Sequence, residues 1–266
     1  AERFYKTAIE LNKKAEKIEV QYGQSFDFEN IKITNSPELI CITQNETSTG
    51  VAIDPDKIYK LKQKYIDSLI AVDIVTSAPY VNLDFNKIDC AFFSVQKGFG
   101  LPAGLGVLIV NEKCMDKAKL MKSKNLSIGS YHNFISLHEN AVKYQTTETP
   151  NVLGIYLLGK VSEYLNKYGI NNVRKDTEEK AKLLYDFFDD HKKFKPFVKY
   201  KSDRSKTIVN IDVGDKQIEV KTKLAERGIL VGSGYGKLKD SQIRIANFPM
   251  HKIHDVKKII EICENI

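Results

Sequence analysis

Four short apolar runs, each closing on polar residues, constrain this chain more than any other feature. Residues 39–43 (LICIT), 68–73 (SLIAVD), 90–96 (CAFFSVQ) and 105–110 (LGVLIV) have strand length and strand composition. Helical signals stand between and before them. Residues 2–15 pattern as an amphipathic helix and 18–22 as a short strand. Asp54 followed by Pro55 supplies an N-cap and a first-turn proline for a helix running to Tyr65. Strands alternating with helices predict an α/β fold, a mostly parallel sheet with helices on both faces.

The pattern changes in the second half. Thr149 and Pro150 open a helix expected to run to about Tyr168, with Gly169 just past its end. A lysine-rich helix over 173–192 precedes a strand at 207–213 and a helix over 215–227 closed by Gly228. The loop 232–236, the strand Gln242–Ala246 and a last helix from residue 252 complete a compact α+β pattern. The expected division is therefore a larger unit over 1–167 and a smaller α+β unit over 168–266. The opening residues, Ala1 to Phe4, carry neither an initiator Met nor an N-cap signal, so the gene product is expected to be longer at its N-terminus.

Composition excludes several classes. A net charge of +7 invites a nucleic-acid reading, but the lysines alternate with acids along the chain and arginine is scarce. No nucleic-acid partner is expected. No uncharged apolar stretch approaches the ~18 residues of a membrane span, and the charged N-terminus is no signal peptide. The four cysteines are scattered, with no CxxC pair, which suits reduced thiols in a cytoplasm and predicts no metal site.

In open α/β sheets ligands sit beyond the carboxyl ends of the strands, so the residues there are read together. NETSTG (45–50) follows the first run, Asp73 closes the second, and Gln96 and Lys97 follow the third, leading into a Gly/Pro/Ala loop. Taken singly, these are a polar turn, a turn cap and a surface lysine. Together they bring an acid, an amine and hydroxyl donors to one edge. A lysine there can bond to a carbonyl if burial or a cationic neighbour eases the loss of its proton. Pyridoxal phosphate uses that chemistry, with a carboxylate to keep its ring nitrogen protonated and donors for its phosphate. Arg244, between Ile243 and Ile245 in SQIRIANFP, alternates out of an apolar strand face.

The blocks NETSTGV (45–51), AVDIVTSAPY (71–80), SVQKGFGLPAGLGVLIV (94–110) and TETPNVLGIYLLG (147–159), in that order, resemble the class V pyridoxal-phosphate aminotransferases of fold type I. The resemblance covers nearly the whole chain, and the order of blocks is closest to the phosphoserine-specific branch. It implies amino transfer between an α-amino acid and a 2-oxo acid, with phosphoserine and 2-oxoglutarate as the leading pair. It implies that Lys97 bonds the cofactor and shuttles the proton, that Asp73 pairs with the ring nitrogen, and that Thr47 donates to the phenolic oxygen. It further implies that Gln96 helps hold the phosphate and that Arg244 binds the substrate α-carboxylate. Thr149 would reach the phosphate of a neighbouring subunit's cofactor, which implies a homodimer.

Some features depart from the family. Its ring-stacking aromatic and glycine-rich phosphate cradle lie N-terminal to the block resembling AERFYK, so an N-terminal segment of the fold is expected to be absent from this sequence. Residues 232–239 read GSGYGKLK where the branch carries a His-Arg pair for the substrate phosphate, leaving Lys237 and Lys239 as substitutes or as a solvated loop. Glu148 stands where the family commonly has Asn. Alanine, serine or glyoxylate chemistry is therefore the alternative to phosphoserine. A cysteine desulfurase is disfavoured because Gln96, not a histidine, precedes Lys97, and an inactive scaffold because Lys97, Asp73, Thr47 and Arg244 occur together.

Overall fold

The computed structural model describes residues 2–33 and 36–266; Ala1, Thr34 and Asn35 lie outside the described residues. Helix α1 (Glu2–Glu10) is followed by β1 (Leu39–Thr43) and by a tight hairpin of β2 (Asn45–Glu46) and β3 (Val51–Ala52). Helix α2 (Pro55–Lys64) leads to β4 (Leu69–Asp73), β5 (Cys90–Ser94) and β6 (Gly106–Val110). Then come α3 (Glu112–Ser123), α4 (Phe134–Ala141), α5 (Val152–Tyr168) and α6 (Ile170–Asp190). The remainder is β7 (Lys195–Pro196), β8 (Ile208–Asp212), α7 (Gln217–Glu226), β9 (Gly232–Ser233), β10 (Gln242–Ala246) and α8 (Ile253–Glu264).

The first sheet runs β1-β4-β5-β6. Strands β1, β4 and β5 are parallel, while β6 returns antiparallel to β5 because only the loop 95–105 joins them. Asp54 caps α2 by accepting from the Asp56 N–H at 2.9 Å, and α2 makes the crossover from β1 to β4. Its Ile58 is fully buried with Ile70, Val72 and Ala91 of the sheet and with Val95 just past β5. Burial of each large aliphatic chain stabilises the fold by about 1.5–3 kcal/mol. The parallel strands end on one edge, with Thr43 in register with Asp73 and Asp73 with Phe92.

The second sheet, β7-β8-β10-β9, is antiparallel throughout. Its Val209, Ile211, Ile243 and Ile245 pack on Leu184 and Phe188 of α6 in a separate apolar cluster. Ile170 and Val173 of the same helix belong to the first cluster. Polar contacts tie the sheets together where the β2–β3 hairpin meets β8. Asn45 Nδ2 donates to Ser205 Oγ at 2.9 Å and to Thr207 Oγ1 at 2.6 Å, and Asn210 Nδ2 donates to the Ser48 carbonyl at 2.9 Å. Gly50 closes that hairpin at φ +76°, where a Cβ would lie 3.2 Å from Asn210 Oδ1, so both conformation and space require glycine.

Several expectations change. The helix expected over 2–15 stops at Glu10, because Asn12 takes a left-handed conformation at φ 54°. Residues 18–22 form no strand: Ile18, Val20 and Tyr22 are exposed and pair with no neighbouring strand. Two further helices, α3 and α4, lie within residues 111–148, capped by Asn111 and Asn133. Helix α5 begins at Val152 under an Asn151 cap, so Thr149 lies two residues before the cap and not at the helix N-terminus. Part of the loop 232–236 is the edge strand β9.

Candidate active site

Three loops meet where the parallel strands end. The hairpin after β1 carries Thr47, the turn after β4 carries Thr76, and the loop after β5 carries Lys97. Lys97 Nζ donates to Thr47 Oγ1 and to Thr76 Oγ1, both at 2.8 Å, and the two hydroxyls are hydrogen-bonded to each other. Asp73, the last residue of β4, is half-buried beside them. Its Oδ1 accepts from the Val75 N–H at 2.9 Å, the one hydrogen bond to this carboxylate among the described residues.

Gly98 makes this convergence possible. A Cβ at that position would stand 1.9 Å from the Ala78 carbonyl oxygen, so the Lys97 loop rests directly on the backbone of the Thr76 turn. That turn is itself closed by Ser77 and Ala78 N–H groups donating to the Ile74 carbonyl at 3.1 and 2.8 Å.

Electrostatics follows from burial. Desolvation lowers the Lys97 pKa; Arg244 pushes in the same direction, while Asp73 and Glu46 oppose it. Desolvation raises the Asp73 pKa, aided by Glu46 and opposed by the Val75 N–H and by Lys97. An amine that sheds its proton readily thus faces a carboxylate with acceptor capacity to offer a ligand.

Arg244 reaches this neighbourhood from β10. Ile243 and Ile245 are buried on one face, which sends Arg244 to the other. Its Nε donates to the Ser233 carbonyl at 2.6 Å, and among the described residues its two terminal nitrogens make no hydrogen bond, which leaves them for an anion. Ser233 is clasped in turn, its Oγ accepting from Gln217 Nε2 at 2.9 Å and Lys221 Nζ at 2.7 Å.

Other sequence candidates stand apart from this hydrogen-bonded set. Gln96 is exposed, and Thr149 is exposed on the loop before α5. Lys237 sits over the Tyr22 ring at 4.8 Å, a cation–π contact, and Lys239 is exposed. Glu148 is hydrogen-bonded to His132 and Thr147. Sequence reasoning missed Thr76, Ser233 and Gln217. A hydroxyl three residues past a strand-terminal Asp was the available signal for Thr76; nothing in the pattern marks the other two.

The sequence matches the aminotransferase class-V family over residues 5–259. A phosphoserine aminotransferase of Rhodococcus opacus is 28% identical over 227 residues, which are 84% of this chain and 60% of that protein. One of Corynebacterium glutamicum is 26% identical over 225 residues, 84% of this chain and 59% of that protein. The chain thus spans about three fifths of the curated relatives it matches. Among solved structures, a phosphoserine aminotransferase of Cytophaga hutchinsonii superposes with a TM-score of 0.96 at 42% identity, over 99% of this chain and 73% of that one. An alanine–glyoxylate aminotransferase of Nostoc superposes at 0.88 with 20% identity, over 99% and 71%, a likeness of fold.

Proposed function

The chain belongs to the class V aminotransferases and has their fold type I architecture, and on that premise we propose that it is a pyridoxal-phosphate-dependent aminotransferase. It exchanges an amino group between an α-amino acid and a 2-oxo acid, with phosphoserine and 2-oxoglutarate as the leading pair, by analogy with the relatives named phosphoserine aminotransferase. One observation carries this reading: a desolvated lysine amine held between two hydroxyls, beside a carboxylate and within the field of an arginine.

The residues present fit the cofactor. Lys97 supplies the amine, Asp73 an acceptor for a protonated ring nitrogen, and Thr47 a donor for the phenolic oxygen. Gln96, exposed at the rim, adds a donor for phosphate, and Thr149 serves the phosphate of a partner subunit's site. Bound there, pyridoxal phosphate supplies a carbonyl for the amine and an electron sink for the reacting carbon. Lys97 Nζ would be the base that takes up and releases the proton of the substrate α-carbon. Asp73 holds the ring-nitrogen proton in place. Arg244 orients the substrate through its α-carboxylate, since its Nε is already committed to Ser233 and its terminal pair is the fork that a carboxylate matches.

The substrate end is more open. Residues 232–239 carry no His-Arg pair and Lys237 is engaged with Tyr22, which favours an alanine-, serine- or glyoxylate-type substrate as the second reading. A homodimer is supported by the exposed apolar residues Val152, Leu153, Ile155 and Tyr156 that follow Thr149 on α5. We divide the chain next to the α5–α6 junction, into 1–167 and 168–266, because α6 is the element that leaves one apolar cluster for the other. A cytoplasmic location accords with four free thiols and with no helix among the described residues long and apolar enough to cross a membrane.

The test is amino transfer from phosphoserine to 2-oxoglutarate by the full gene product with added cofactor, beside Lys97→Ala. Glutamate formed by the first and not by the folded variant supports the reading. Undiminished transfer by Lys97→Ala, or none from any amino acid tried with the unaltered protein, overturns it.

A further inference from the structure

We infer that Thr76 is a positioning residue for the Lys97 amine, holding it at the strand edge, together with Thr47, whenever that amine carries no covalent bond. The inference rests on the proposed function insofar as Lys97 is the group that moves the proton. The geometry is local. Thr76 Oγ1 and Thr47 Oγ1 both lie 2.8 Å from Lys97 Nζ, and each hydroxyl also bonds the other. Thr76 is only 2% exposed, so its hydroxyl has no solvent to turn to. Its backbone is held by the turn onto Ile74 and backed by Gly98 against Ala78, so the hydroxyl and the lysine are fixed by the same contact.

Proton counting says what a pair of hydroxyls adds. An ammonium has only donors, and both threonines can accept from it. A neutral amine has two N–H groups and a lone pair. Lys97 then donates to Thr47, whose own proton goes to Thr76 or, with cofactor bound, to the phenolic oxygen, and Thr76 donates back to nitrogen. Every polar atom of the trio keeps a partner in both states, because a hydroxyl rotates between donating and accepting. A lysine that gains and loses a proton in each half-reaction therefore need not be reordered between them. The charged groups facing Lys97 are Asp73, Glu46 and Arg244, and they bias its charge. Thr76, being neutral, sets its position and supplies one acceptor for the ammonium.

Two readouts test this on the full gene product. Without cofactor, lysines are labelled competitively with acetic anhydride across pH, and the peptide containing Lys97 is quantified by mass spectrometry. Thr76→Val removes an acceptor of the ammonium, so the Lys97 midpoint is expected to fall by roughly half to one pH unit. Thr76→Ser is expected to restore it. With cofactor and amino donor, Thr76→Val is expected to lower kcat about ten- to a hundredfold, with KM within about twofold, and Thr76→Ser to recover most of the loss. If Thr76→Val does not fold, Thr76→Ala is read in the same way. An unmoved midpoint with unmoved kcat overturns the inference, as does collapse of both hydroxyl-free variants while Thr76→Ser folds, since the hydroxyl is then structural. Absence of any amino transfer by the unaltered protein overturns the function and not the grip, which the cofactor-free titration still decides.

Discussion

Replacing Gly98 by alanine tests how the site is assembled without touching any charged group. The new Cβ would stand 1.9 Å from the Ala78 carbonyl oxygen and 2.9 Å from Pro79 Cδ, whereas ordinary contact begins at 3.4 Å. The Lys97 loop must therefore retreat by about 1.5 Å from the Thr76 turn. The obstacle is backbone, not the end of a flexible side chain, so no rotamer change relieves it. Overpacking of this kind costs about 1–3 kcal/mol, and for a domain of this size each kcal/mol lowers Tm by roughly 2–4 °C. The functional cost is larger in proportion, because a misplacement of about 1 Å at a reacting group costs on the order of a hundredfold in rate. Thermal melting and steady-state transamination are both read on Gly98→Ala. We expect a lower Tm, a kcat down by about two orders of magnitude, and the Lys97 amine labelling like an ordinary exposed lysine. Normal activity with normal Tm would refute the claim that this close approach fixes Lys97.

Other outcomes follow from the same structure. Asp89 Oδ2 accepts from Lys62 Nζ at 2.7 Å and from the Ile70 N–H at 2.8 Å, with its side chain 2% exposed. Lys62→Met strands that carboxylate and is expected to cost about 3–5 kcal/mol, read as a fall in Tm. Burial alone would raise the Asp89 pKa, but Lys62, Asn111 and the Ile70 N–H together hold it below the ordinary value. Its contribution is complete at neutral pH and is lost as pH falls from about 4 through the depressed folded pKa, so the Lys62→Met deficit is expected to shrink in acid denaturation series. Arg244→Lys, which cannot offer the bidentate fork, is expected to raise KM for the amino acid about ten- to a hundredfold with kcat less affected; unchanged KM would remove Arg244 from the carboxylate site.

Much of the scaffold is legible because apolar runs report buried strands directly. Leu39–Thr43 and Gln242–Ala246 have the bounds their patterns suggest, and the strand-end rule finds Asp73, Thr47 and Lys97 because each follows such a run. The alternation that exposes Arg244 between Ile243 and Ile245 is equally plain. Local pattern fails where a tertiary neighbour decides. Residues 18–22 alternate like a strand but pair with no strand among the described residues, and Asn12 ends α1 by its backbone conformation despite an amphipathic pattern that continues. Thr76 looks like any turn threonine until Gly98 brings the two loops together. The clasp of Gln217 and Lys221 on Ser233 joins residues from α7 and an edge strand, and no spacing in the chain announces it.

The central claim is that Lys97 is the amine that bonds the cofactor. The direct measurement is borohydride reduction of the full gene product mixed with pyridoxal phosphate, followed by mass-spectrometric mapping of the modified peptide. The account requires the pyridoxyl label on Lys97, with its yield falling when an amino acid substrate is added first. A protein that takes no label, or takes it on another lysine, would contradict it.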